Sequence, residues 1–208
     1  MAQGPSYKDD LARAYDADAQ RRDAMAPATW RTDIVDRFAD GIRSDGARKV
    51  LELGCGTGQL ASRLADQDFD VTAIDLSPAN VEATRARGVN AEVADFASLP
   101  FLDNTFDAAF AINSLLHVPA RELSYVLIEV GRVLRPEALL LIVVWGGITQ
   151  DGPIDDEWLD PPRYFSTYTD DDLLALATPG FTRRAFDTLD VSEGGRDLHS
   201  QVLTLAAI

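Results

Sequence analysis

The chain contains one cysteine, Cys55, in 208 residues. A lone thiol cannot close an internal disulfide and cannot build a cysteine metal cluster. Positive charge is scarce too. Lys and Arg number 19 against 34 Asp and Glu, a net charge of −15 with histidine neutral. A surface that acidic repels phosphate backbones and anionic lipid, so nucleic acid and membrane are set aside as partners. Long apolar runs are missing. The longest lies near Ala138–Trp145, far below the ~20 residues that span a bilayer. Met1–Asp10 lacks the basic-then-apolar order of a secretory signal. Repeats and low-complexity tracts are absent as well. What is present is ordinary globular material, 46% apolar and 25% charged, which argues against disorder. The length suits one domain around one core, and the expected setting is soluble and cytoplasmic.

The segment from Tyr7 to about Arg43 reads as two helical stretches separated by Pro27 and closed by Gly41 and Gly46. From Lys49 the pattern changes. Val50–Leu53 is a short apolar strand that enters Gly54-Cys55-Gly56-Thr57-Gly58, a tight turn, and a helix follows to about Asp66. Phe69–Ile74 is a second strand ending at Asp75. Ser77-Pro78 opens a helix with a hydroxyl cap and a proline at its first position, and Gly88 closes it. Val89–Val93 and Phe106–Ile112 are the third and fourth strands. Glu122–Leu134 is an amphipathic helix stopped by Pro136, and Ala138–Trp145 is an apolar, central fifth strand. Apolar strands alternating with helices predict an α/β fold, a doubly wound, mostly parallel sheet covered on both faces. Beyond it, Asp170–Ala177 reads as a helix. Phe181–Val191 and Leu198–Ala207 read as a hairpin through Gly194-Gly195, added at a sheet edge. Gly146–Thr169, with Pro153, Pro161 and Pro162, reads as a long loop of the kind that often forms a lid. The single domain thus divides into an N-terminal helical cap (1–46), a core (47–145), the loop (146–169) and a C-terminal helix and hairpin (170–208).

Glycine at the first strand-to-helix turn lets a ligand approach the backbone, and the following helix presents its N-terminus there. The alternative is a plain tight turn, against which three alternate glycines count. Asp75 ends the second strand, where doubly wound folds place an acid that accepts from ribose hydroxyls. It also suits capping of the Ser77 helix. Asp95 with Phe96 follows the third strand and faces the same crevice. That acid suits an adenine amino group, and equally a solvated loop. A nicotinamide-binding turn wants Gly-x-Gly-x-x-Gly. Here the spacing is Gly-x-Gly-x-Gly, with Glu52 before it in the strand.

These residues resemble the class I S-adenosylmethionine-dependent methyltransferases. The resemblance runs from Val50-Leu51-Glu52-Leu53-Gly54-Cys55-Gly56-Thr57-Gly58 through Ala73-Ile74-Asp75-Leu76-Ser77 to Ala94-Asp95-Phe96 and Leu99-Pro100-Phe101. It continues with Phe106-Asp107, Ser114-Leu115-Leu116-His117 and Gly131-Arg132-Val133-Leu134-Arg135-Pro136, covering most of residues 50–145. It implies a Rossmann-like seven-stranded sheet with one antiparallel strand, S-adenosylmethionine as cofactor, and a small-molecule methyl acceptor. The Gly54–Gly58 loop, with Cys55, would hold the methionyl part, Asp75 the ribose, and Asp95 with Phe96 the adenine; Glu52 would brace the loop. Gln59, Leu76 and Asn113 join this cofactor set, and Tyr15 would close over it from the N-terminal helix. One departure is Pro136-Glu137-Ala138, where the family often has Pro-Gly-Gly. A protein acceptor, or a non-catalytic cofactor-binding regulatory domain on the same fold, are the alternatives.

Methyl transfer from a sulfonium needs alignment more than acid or base, and a base only where the acceptor must lose a proton. His117 is the candidate base; it reads equally as a histidine that packs its loop or bonds a backbone carbonyl. His199 reads as an edge or core residue. Asp155-Asp156-Glu157 are adjacent, so their side chains diverge and no metal is expected. Asp170-Asp171-Asp172 complement a helix N-terminus. Trp145, Trp158, Tyr164, Phe165 and Tyr168 either line an acceptor pocket or pack under the loop. Cys55 itself reads as a packing residue rather than a nucleophile.

Overall fold

Side chains along the central strands alternate between two apolar destinations. Val50, Ala108, Phe110, Leu141 and Val143 pack on one face of the sheet, and Leu51, Leu53, Ala109, Ala111, Leu140 and Ile142 on the other. A strand buried on both sides requires helices on both sides. The computed structural model, which describes residues 6–154, 159–177, 179–190 and 198–208, supplies them. In chain order the elements are α1 (Tyr7–Asp23), α2 (Thr29–Ser44), β1 (Lys49–Leu53), α3 (Gln59–Ala65), β2 (Asp70–Asp75), α4 (Pro78–Ala86), β3 (Asn90–Val93) and β4 (Phe106–Ile112). Then come a 3-10 turn (Leu115–His117), α5 (Ala120–Val133), β5 (Leu134–Gly146), β6 (Gln150–Ile154), β7 (Arg163–Thr167), α6 (Asp170–Leu176), β8 (Phe181–Leu189) and β9 (His199–Ala207). Helix α2 turns Ile34, Val35, Phe38 and Ile42 to the first face, beside α3 and α4. Helix α5 turns Leu123, Val126, Leu127 and Val130 to the second, beside α6. Both stripes follow the helical period.

The seven-stranded sheet has the order β3-β2-β1-β4-β5-β9-β8. The first five of these run parallel, and β9 is antiparallel to both β5 and β8. This is the expected mostly parallel sheet with an antiparallel C-terminal strand. Strand order reverses between β1 and β4, and ligands bind doubly wound sheets at such a point, outside the carboxyl ends of the strands. The glycine turn after β1 and the Asn113–His117 segment after β4 both sit there.

The structure departs from the sequence reading in three places. Pro136 does not separate helix from strand. Helix α5 passes directly into β5, and Leu134 already pairs with Phe106 before the ladder resumes at Ala108 and Leu139. Residues 135–138 form the excursion between those pairs, which is where a strand tolerates proline. Glu137 sits there at φ 65, a left-handed position, which is the reason glycine suits it. Second, the 146–169 segment is not all loop: β6 and β7 pair antiparallel inside it. The polar Gln150-Asp151-Gly152-Pro153 run gives no strand signal, so the pairing was not legible. Third, β8 ends at Leu189. Val191, Gly194-Gly195, Asp155-Asp156-Glu157 and Trp158 lie outside the described residues. Among the described residues, no helix is long and apolar enough to cross a membrane.

Candidate functional site

The glycine turn is shaped by two different demands. At Gly54 (φ 74) a Cβ would lie 2.3 Å from Ser114 Cβ, and at Gly58 (φ 78) 2.6 Å from Thr84 Oγ1. Those two glycines are required by the protein's own packing. At Gly56 (φ 52) a Cβ would meet nothing within 4 Å, yet the residue borders a cavity. The turn is tied to β2 by Gly54 N and Cys55 N, which donate to Ile74 O at 2.8 and 3.0 Å. Asp75 completes the tie. Its Oδ2 accepts from Gly56 N at 2.9 Å, and its Oδ1 from Ser77 N at 2.9 Å and Asn80 Nδ2 at 3.3 Å. The Asp75 carboxyl is buried, and burial pushes its pKa up against those hydrogen bonds. Glu52 is buried nearby, and desolvation, with the charge of Asp75 second, lifts its pKa well above the usual range. Among the described residues, Glu52 Oε2 has no hydrogen-bond partner, and neither amide atom of Asn113 has one. Asn113 stands at φ 54, straight after β4.

These groups border one cavity of about 490 Å³, within the size range of small-molecule sites. Tyr15, Glu52, Gly54, Cys55, Gly56, Gln59, Asp75, Leu76, Phe96, Asn113 and His117 all line it. Asp95 does not: its Oδ2 pairs with Lys8 Nζ at 2.6 Å and its Oδ1 accepts from Ala97 N at 3.0 Å. Gln59 reaches back to Met25 O at 2.5 Å and pins the α1–α2 connection to the turn. Burial raises the Cys55 thiol pKa, and its Sγ contacts Thr84 Oγ1 at 3.3 Å. A thiol held protonated is a packing group, not a nucleophile.

Across β1 from Asp75, a chain of polar contacts closes the other side. His117 Nδ1 lies 2.8 Å from the Tyr164 carbonyl oxygen, and its Nε2 lies 2.6 Å from Tyr15 Oη. Arg163 Nη1 donates to Tyr15 Oη at 3.2 Å. Phe165 meets the His117 ring edge-on at 4.6 Å and stacks on Trp145 at 5.8 Å. Of the aromatic set, Trp145 and Phe165 line the cavity, whereas Tyr168 is buried in the core. Helix α1 roofs this arrangement. Asp16 accepts from Ser77 Oγ at 2.5 Å and Ala79 N at 3.0 Å at the start of α4, and Tyr7 donates to Glu122 Oε2 at 2.8 Å. The sequence reading missed Arg163, Arg22 and Arg31 as lining residues, and Asp16 as an anchor. Nothing in the sequence flags the arginines. Asp16 follows Tyr15 directly, but its bond to the start of α4 spans 61 residues and no local pattern reports it. His199 contacts Asp170 Oδ1 at 2.8 Å, away from the cavity lining. Among the described residues, no group of three or more His, Cys, Asp and Glu could hold a metal ion.

Residues 50–137 match the family described as "Methyltransferase domain". The O-methyltransferase rstn1 of Aspergillus nomiae is 34% identical over 134 residues, which cover 60% of this chain and 58% of that protein. The crystal structure of the cyclase SpnF is similar with a TM-score of 0.74 at 23% identity, covering 98% of this chain and 97% of that one. The crystal structure of 1,6-didemethyltoxoflavin-N1-methyltransferase from Burkholderia thailandensis, with bound 1,6-didemethyltoxoflavin and S-adenosylhomocysteine, has a TM-score of 0.68 at 21% identity, covering 100% of this chain and 92% of that one. These two likenesses establish the fold. The chain spans 43% to 60% of the length of such curated relatives. The chain thus carries a methyltransferase domain over residues 50–137 and is similar, in sequence and in fold, to known methyltransferases.

Proposed function

We propose that this protein transfers a methyl group from S-adenosylmethionine to a small-molecule acceptor. One observation carries the reading. The cavity at the sheet's switch point combines a bare backbone at Gly56 with a buried acid at each side of it and unpartnered polar atoms on Glu52 and Asn113. Buried polar atoms without partners are costly, and they suit a ligand that supplies both a cation and acceptors. An amino-acid head group does so. S-adenosylmethionine, when bound, supplies an electrophilic methyl on a sulfonium.

The chain's own residues then bind and align. Asp75 uses three of its roughly four lone-pair positions on Gly56, Ser77 and Asn80. The one left on Oδ2 is available to a ribose hydroxyl. Leu76 and Phe96 border the same end and give an adenine ring apolar contact. Asp95, outside the lining and paired with Lys8, caps the loop that carries Phe96 rather than holding the base itself. Helix α1 excludes water, and alignment of acceptor and methyl is the main catalytic contribution. The −15 charge favours a small molecule over a nucleic acid acceptor.

Calorimetry tests this reading. The protein is expected to bind S-adenosylmethionine and S-adenosylhomocysteine. Asp75→Ala is expected to weaken both by about tenfold or more, through loss of an acceptor and of the brace on Gly56. Undiminished binding in that variant, or none in the parent, refutes the assignment.

A further inference from the structure

His117 is poorly placed to touch an acceptor directly. A carbonyl oxygen only accepts, so the contact with Tyr164 O puts the proton of a neutral ring on Nδ1 and the lone pair on Nε2. That lone pair faces Tyr15 Oη at 2.6 Å. The ring is buried and flanked edge-on by Phe165, and Tyr15 stands between Nε2 and the cavity-lining residues of α1. The Tyr15 oxygen donates to His117 and accepts from Arg163. A phenol oxygen has two lone pairs, so one remains for a further donor.

We propose that Tyr15 is the group that takes the acceptor's hydroxyl proton, handing its own proton to His117 Nε2. This rests on the methyl-transfer reading above. The acceptor O–H bond breaks as its oxygen forms the new O–CH3 bond. The proton goes to Tyr15 Oη, the Tyr15 proton goes to His117, and the S–CH3 electron pair stays on sulfur. The sulfonium charge is thereby exchanged for an imidazolium, whose Nδ1–H stays on Tyr164 O. The charged groups facing Tyr15 favour the transfer. Arg163 of β7 lies over its ring at 5.7 Å and Arg22 of α1, itself paired with Asp18, at 4.7 Å. A positive neighbour stabilises developing phenolate character. The acceptor class follows. A hydroxyl on an aromatic ring gives up its proton to such a relay more readily than an alkyl alcohol does, which favours a phenol. The stacked Trp145 and Phe165 rings beside the relay give such a planar ring a surface.

The test has two readouts. The chain has two histidines, so nitrogen-15 NMR of the imidazoles shows two rings, and His199→Gln assigns them. His117 is expected as the Nδ1–H form, with an Nε2 resonance that moves in Tyr15→Phe. An Nε2–H form overturns the proposal. Methyl transfer to substituted phenols of graded acidity is the second readout, followed by release of S-adenosylhomocysteine. Tyr15→Phe and His117→Gln are each expected to lower kcat by about 10²-fold or more, and the double variant no further. The loss is expected to shrink for the most acidic phenols. Additive losses, an unchanged kcat in Tyr15→Phe, or no turnover of any phenol by a parent protein that binds S-adenosylhomocysteine overturn this proposal alone. A parent that fails to bind S-adenosylhomocysteine removes the cofactor reading and this one together.

Discussion

On the β2 side of β1, most of the cavity wall comes from residues 52–76, one unbroken strand-turn-helix-strand, with Phe96 and the α1–α2 connection added to it. On the β4 side it comes from Tyr15, Asn113–His117, Trp145 and Arg163–Phe165, brought together from across most of the chain. The first half is braced by short-range hydrogen bonds to Asp75 and Ile74. The second depends on contacts between distant segments, whose closure entropy must be met before they form. A wall built within one short stretch of chain can be rigid without help from distant segments. A surface that differs with its substrate is more readily changed when it is assembled from separate loops.

Gly54→Ala probes the local half most severely. It strains a left-handed position and drives a Cβ into Ser114, so a loss of about 3 kcal/mol or more is expected in denaturant melts. Gly56→Ala has room; it is expected to cost about 1 kcal/mol of stability while still abolishing S-adenosylhomocysteine binding in calorimetry. Equal stability losses at the two positions would erase the distinction between a glycine the fold needs and one the ligand needs.

Glu52→Gln sharpens the same half through pH. The folded-state pKa of Glu52 is raised above its ordinary 4.5. The folded form therefore holds a proton that the unfolded form has already lost, and that contribution fades as pH rises from the ordinary value to the raised one. Glutamine does not ionise, so the variant is expected to gain on the parent across this window by up to about 1.4 kcal/mol per pH unit. A difference in Tm that stays flat with pH would refute the raised pKa. Asp16→Ala tests the long-range half. It removes a cap from α4 and a latch from α1, with an expected loss of about 1 kcal/mol and faster proteolysis within α1. Glu137→Gly touches neither half. Relief of the left-handed strain, against the gain in chain entropy and a weak exposed pair with Arg184, is expected to stabilise by about 0.5 kcal/mol.

The same division explains what could be read from the sequence. Apolar strands, the Gly54–Gly58 turn, Asp75 and the Ser77-Pro78 cap are local signals, and the core and the glycine-turn wall of the cavity were legible from them. The β6–β7 pairing was not, because it joins a polar run with Pro153 to a segment beyond Pro161-Pro162. Arg163 was illegible for the same reason. Its position over Tyr15 depends on that pairing and on the docking of α1. His117 was named from its place after β4, but its engagement by Tyr15 spans 102 residues, and no pattern along the chain reports that.

Tyr15 and Asp16 are neighbours on one helix, and they point to opposite walls: the phenol to His117, the carboxylate to the start of α4. One helix thus fastens two separate segments, and a displacement of α1 would loosen the histidine wall and the α4 wall in a single movement.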